Sequence, residues 1–248
     1  MDTSRLYFDV MKRKLVVYND SIEIPAVLWG DLSDKLIIAV HGDMSNKEDK
    51  VIELLAESAI SKNYSVLSFD LPENGDRRDN HHYECNPLNC VSDLRAVYSY
   101  ASVLCTEINL FACSMGAYFS LLALHESSIR RVLFLSPIVN MERIIKGMME
   151  EFGVAEERLE HEQRIPLPIG KTLDWSYYTY VKQHPVHFNL NSSIAILYGS
   201  KDTFSPREEI EAFSCQYKAS LTLLSEGEHY FASDEQLNFY KRWLDINL

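Results

Sequence analysis

Along the chain, short apolar runs alternate with stretches whose apolar residues return at helical spacing. Strands are predicted at residues 15–18, 24–29, 36–40, 65–69, 108–112, 132–135, 194–198 and 221–224. The central runs are continuous and rich in Val, Ile and Leu, as in strands buried on both faces of a parallel sheet. Between them, Val51, Leu54, Leu55, Ser58 and Ala59 share one narrow helical face. Leu88, Val91, Arg95 and Tyr98 share another. Ser205-Pro206 predicts a helix running through Tyr217, with serine as the cap and proline in the first turn. Ser233-Asp234-Glu235-Gln236 spells a capping box for the last helix. The repeated strand–helix–strand order predicts an α/β fold with a mostly parallel, doubly wound sheet and right-handed crossovers.

The alternation stops between Asn140 and Asn189. Helical pieces are predicted there at 141–152, 156–162 and 174–183, interrupted by Pro166-Leu167-Pro168-Ile169-Gly170. A structureless loop of this length is uncommon in a compact domain. The stretch therefore reads as an inserted helical lid at 140–189, dividing a core formed by residues 1–139 and 190–248.

Composition narrows the classes of function. A chain of 248 residues fits one domain with an insertion, and 46% hydrophobic residues supply a core that disorder would lack. The formal net charge of −12 argues against nucleic acid or anionic membranes as partners. No apolar stretch approaches the length of a membrane span. The start, Met1 to Asp9, has no basic-then-apolar leader, so a cytoplasmic location is expected. Cysteines at 85, 90, 105, 113 and 215 are odd in number and lack framework spacing, which reads as reduced thiols. Cys85 and Cys90 lie near His81 and His82 but match no common zinc spacing. Neither a metal nor another cofactor is expected.

The chemistry concentrates at Ala112-Cys113-Ser114-Met115-Gly116, where a predicted strand runs into a predicted helix. A serine between small residues at such a corner is lifted out of the sheet; the bland alternative is a helix N-cap. A serine hydroxyl needs a base, a group that orients the base, and donors for the oxyanion. His229 follows the last predicted strand and is the best base. His125, His161, His184 and His187 are placed less well. Asp202 follows the strand at 194–198 and is the best orienting acid, ahead of Asp174. The backbone N–H groups of Met115 and Asp43 are the oxyanion donors, with Asp43 in the turn His41-Gly42-Asp43-Met44. An acidic Asp43 must point away from the oxyanion or be neutralised by a neighbour. His41 reads as a structural hydrogen-bonder. Trp175, Tyr178 and Phe204 are candidate substrate-binding aromatics, with sealing of the lid as the alternative.

These residues resemble the α/β-hydrolases: His41-Gly42 after a core strand, the elbow around Ser114, then Asp202, then His229, in the family's order. The resemblance covers nearly the whole chain, and small lidded bacterial esterases look most similar. Ala112 stands where the family commonly has glycine. The resemblance implies a serine hydrolase that takes a small-molecule acyl substrate through an acyl-enzyme. Thioesters, small peptides, acyl transfer and a non-catalytic binding protein are the alternatives it leaves open.

Overall fold

Each predicted apolar run lies within a strand of the computed structural model, which describes residues 11–187 and 192–248. The strands are β1 (Lys12–Asn19), β2 (Ile22–Trp29), β3 (Lys35–Val40), β4 (Ser65–Phe69), β5 (Glu107–Cys113), β6 (Arg131–Leu135), β7 (Arg164–Pro166), β8 (Thr172–Asp174), β9 (Ser193–Gly199) and β10 (Ser220–Leu224). Eight of them form one sheet in the order β1-β2-β4-β3-β5-β6-β9-β10. From β4 through β10 every neighbouring pair is parallel, whereas β2 pairs antiparallel with both β1 and β4.

The helices are α1 (Lys50–Ile60), α2 (Pro87–Leu104), α3 (Met115–Ala123), α4 (Met141–Glu151), α5 (Glu156–Glu162), α6 (Trp175–Gln183), α7 (Arg207–Tyr217) and α8 (Asp234–Asn247). Successive side chains of a strand face opposite ways, so the sheet feeds two cores. Ile37, Phe111, Leu133 and Leu197 pack with Leu55 of α1 and Tyr240 and Trp243 of α8. Their neighbours Ile38, Leu110, Val132 and Ile196 pack with Leu94 of α2, Phe119 of α3 and Phe213 of α7. Burial on both faces is why these strands read as unbroken apolar runs.

Local chemistry departs from the sequence expectation in three places. The buried side of α2 consists of Cys90, Val91, Leu94, Val97 and Ala101, while Leu88 is 64% exposed. Asp93 sits inside this apolar stripe, where Arg77 pairs with it at 2.6 Å. At α7, Ser205 does not cap: its hydroxyl donates to the Pro137 carbonyl at 3.0 Å, and the helix begins at Arg207. Pro166 to Gly170 does not simply interrupt helices. It belongs to an antiparallel hairpin of β7 and β8, with Gly170 at φ +77° in the turn. The capping box of α8 forms as expected. The predicted end of the insertion, at residues 189 and 190, lies outside the described residues, as does Met1 to Asp9.

Because β3, β5, β6, β9 and β10 run parallel, their C-terminal ends share one edge of the sheet. That edge carries the turn at His41, Ser114, the Gly199–Asp202 turn and the loop containing His229.

Candidate active site

β5 delivers Ser114 directly into the start of α3. Ser114 has φ +50° and ψ −124°, a conformation that costs a side-chain-bearing residue about 1–3 kcal/mol. The surroundings hold it there: its N–H donates to the Leu135 carbonyl at 3.2 Å, and its own carbonyl accepts from Ile138 at 3.1 Å. Gly116 is required for the close approach of α3, because a Cβ there would meet the His41 carbonyl oxygen at 2.3 Å. The Ala112 methyl is fully buried and fits where glycine is the commoner choice. The Ser114 hydroxyl makes no helix-capping bond. It lies 2.8 Å from His229 Nε2.

The His229 loop is pinned to the Asp202 turn by backbone contact. Lys201 N–H donates to the Gly227 carbonyl at 2.8 Å, and Phe231 is buried behind the loop. His229 Nδ1 lies 2.7 Å from Asp202 Oδ2. A carboxylate only accepts, so Nδ1 carries the proton and Nε2 is left as the acceptor facing Ser114. The other Asp202 oxygen accepts from the N–H groups of Phe204 at 2.8 Å and Ser205 at 3.2 Å. Asp202 therefore shapes its own turn and orients the imidazole together. Ser114, Asp202 and His229 are all buried, which removes competing water from these bonds.

Two stretches of backbone lie beside Ser114. Met115 is the first residue of α3, where amides lack intrahelical partners and the helix dipole is positive. The turn from Gly42 to Asp43 passes so close that a Cβ on Gly42 would lie 3.0 Å from Ser114 Cβ. His41 anchors that turn. Its Nε2 accepts from Leu71 N–H at 3.0 Å and its Nδ1 donates to the Gly42 carbonyl at 2.6 Å. Burial pushes the His41 imidazole below its ordinary value, against the opposing pull of the Gly42 bond and Asp70. The turn is braced further along by Asp70, fully buried, which accepts from the Lys47 ammonium at 2.6 Å. Gly75, at φ +54°, leaves room for that carboxylate.

Two residues missed in the sequence complete the surroundings. The carboxylate of Asp43 pairs with Lys171, at the tip of the β7–β8 hairpin. This supplies the neutralising neighbour that Asp43 requires. Tyr230 stacks edge-on against His229, and burial followed by the Asp43 charge pushes its phenol up. Neither residue belongs to a motif; the unexplained charge of Asp43 was the only signal for Lys171.

Among the predicted aromatics, the Phe204 ring lies 4.6 Å from the His229 ring. Trp175 packs on Tyr178 at 5.8 Å. Tyr178 is fully buried and donates to Glu156 at 2.8 Å, which accounts for it as a seal within the 140–187 segment. The other candidates are engaged elsewhere. Asp174 caps α6, His125 bonds to the Leu122 carbonyl, and His184 stacks on Tyr180. Burial, then Asp49, pushes the Cys113 thiol up to about 12, so it is not a competing nucleophile at neutral pH. Among the described residues, no group of three His, Cys, Asp or Glu side chains is arranged to hold a metal. No helix among them is long and apolar enough to cross a membrane.

No protein-family model matches the chain, and no curated protein matches it in sequence. Solved structures do match. Est1E from Butyrivibrio proteoclasticus, with ferulic acid bound, is similar at TM-score 0.78 and 21% identity, over 94% of this chain and 96% of that one. An esterase from Pyrococcus furiosus is similar at TM-score 0.71 and 18% identity, over 96% and 90%. Alpha/beta hydrolase domain-containing protein 10 from mouse is similar at TM-score 0.70 and 14% identity, over 94% and 97%. At such identities the likeness speaks to fold, and it agrees with the strand order and strand directions described above: this chain has the α/β-hydrolase fold.

Proposed function

We propose that this protein is a serine hydrolase that cleaves a small carboxylic ester through an acyl-enzyme on Ser114. The observation that carries the reading is the unbroken chain of hydrogen bonds from Asp202 through His229 to the Ser114 hydroxyl. Ser114 Oγ attacks the acyl carbonyl as His229 Nε2 takes its proton. The resulting imidazolium is stabilised by Asp202. The oxyanion is met by the amides of Met115 and Asp43, one such donor being worth about 3 kcal/mol. The leaving alcohol departs with the proton held on His229. Water, activated by the same imidazole, then attacks the acyl-enzyme and releases the acid. No cofactor enters these steps.

Residues 140–187 act as the lid, and the hairpin tip at Lys171 closes against the oxyanion turn. Phe204 and Trp175 line the acyl or alcohol pocket. The substrate is a soluble small molecule, and the protein works in the cytoplasm. Hydrolysis rates for p-nitrophenyl esters of graded chain length, with methyl ferulate, thioesters and anilides, test the reading. The expected result is turnover of short-chain or aryl esters that falls by at least about a thousandfold in Ser114→Ala. Undiminished hydrolysis by Ser114→Ala refutes the assignment. Faster cleavage of thioesters or anilides moves the substrate class while leaving the nucleophile in place.

A further inference from the structure

Outside the proposed catalytic centre, two sulfur atoms face each other. Cys85 Sγ and Cys90 Sγ lie 3.7 Å apart, at the junction between a loop and the first turn of α2. The junction is built from specific bonds. Asn86 caps the helix by accepting from Asn89 N–H at 3.0 Å. The Glu84 carbonyl accepts from Asn86 N–H at 3.0 Å and from the Asn89 side chain at 2.9 Å. Cys85 N–H donates to the Glu73 carboxylate at 2.8 Å. These bonds fix the backbone on both sides of the pair.

The neighbouring histidines do not claim the thiols for a metal. His81 faces Glu73 at 3.7 Å. The other cysteines have different surroundings: Cys105 donates to the Ala101 carbonyl, Cys113 faces the Val40 carbonyl, and Cys215 is exposed. Within the pair, Cys85 is half-buried and Cys90 fully buried.

We propose that Cys85 and Cys90 are a redox-active dithiol that closes to an intramolecular disulfide by exchange with a low-molecular-weight disulfide. Cys85, which solvent reaches, reacts first. Its thiolate attacks one sulfur of the external disulfide; that S–S bond breaks, and one thiolate leaves and takes a proton from water. Cys90 then gives its proton to water, and its sulfur attacks Cys85 Sγ. The mixed disulfide breaks and the second small thiol leaves. The two cysteines lose two electrons, and the external disulfide is reduced to two thiols. Burial, then the adjacent Cys85, holds the Cys90 thiol well above its ordinary range, so the second step quickens as pH rises.

Closure requires the sulfurs to approach to about 2.05 Å, a small movement of the loop. Glu84, next to Cys85, pairs with Arg164 of β7 at 2.7 Å. The two cysteines therefore sit where a loop ties the start of α2 to β7 through this ion pair.

A thiol map of the folded chain tests the proposal. The protein is incubated with oxidised glutathione at about pH 8, quenched with iodoacetamide and digested with trypsin. Both cysteines fall in the peptide spanning residues 79–95. The expected product is that peptide without alkylation and about 2 Da lighter than the dithiol, restored by dithiothreitol. Cys215 forms a glutathione adduct in the same sample and shows that the reagent reacted. In Cys90→Ser, the adduct on Cys85 persists instead of resolving. In Ser114→Ala, the bridge forms at the parent rate, which separates this test from the proposed esterase activity. Alkylation of both cysteines, or a stable adduct on each, overturns the proposal.

Discussion

Ser114 is held at φ +50° by hydrogen bonds to Leu135 and Ile138, and its hydroxyl points at an imidazole already fixed by Asp202. The strain and the orientation are both present before any substrate arrives. Asp202 has two duties, and one substitution separates them. In Asp202→Asn the amide oxygen can still accept from Phe204 and Ser205, so the turn keeps its shape. The amide nitrogen, however, donates toward Nδ1 and imposes the wrong tautomer on His229. The expected result is a loss of about 10⁴ in kcat on the best ester, with little change in Tm. Near-normal kcat in this variant removes Asp202 from its role.

At the scale of elements, the hairpin of β7 and β8 meets the oxyanion turn through Lys171 and Asp43. The pair is partly exposed, with side chains 43% and 33% accessible, so it contributes at most about 1 kcal/mol. Its effect on catalysis has a definite sign. In the proposed reaction, the Asp43 carboxylate without the ammonium opposes the developing oxyanion. Lys171→Ala is expected to lower kcat by about fivefold or less, and Lys171→Glu by more. Raising the salt concentration narrows the gap between the two variants. Identical kcat for all three proteins contradicts the contact. This hairpin also marks where reading the sequence stopped. Three-residue strands carry too little alternation to announce themselves, and Pro166 and Pro168 suggest only a break. The core strands were readable because burial on both faces writes a continuous apolar run. The buried face of α2 was not, since Asp93 is masked as a surface residue until Arg77 is seen beside it. Ser114, Asp202 and His229 were readable from their places after β5, after β9 and before α8. Lys171 reaches the site by tertiary approach alone, whereas Tyr230 arrives there as the residue after His229.

Across the whole molecule, one parallel sheet brings residues 41, 114, 202 and 229 to a common edge, with both faces of the sheet packed by helices. That packing has a measurable pH signature through His41, fully buried beside the oxyanion turn. Its imidazole is pushed below the ordinary value of 6.5 in the folded state, chiefly by burial. Above about pH 6.5 both folded and unfolded chains leave it neutral, and stability is at its full value. As pH falls below that point the unfolded chain binds the proton first, so stability declines. The urea midpoint is expected to drop between about pH 7 and pH 5.5, and His41→Asn to flatten this part of the curve. A midpoint unchanged over that range contradicts a neutral His41. The central claim is that the sheet edge makes one alcohol oxygen nucleophilic. Intact-mass analysis of the folded protein after treatment with a fluorophosphonate tests it most directly. The account predicts one adduct per chain, carried on the tryptic peptide spanning residues 96–130 at Ser114, and none in Ser114→Ala. A folded wild-type chain that takes up no fluorophosphonate, or an adduct that survives in Ser114→Ala, contradicts it.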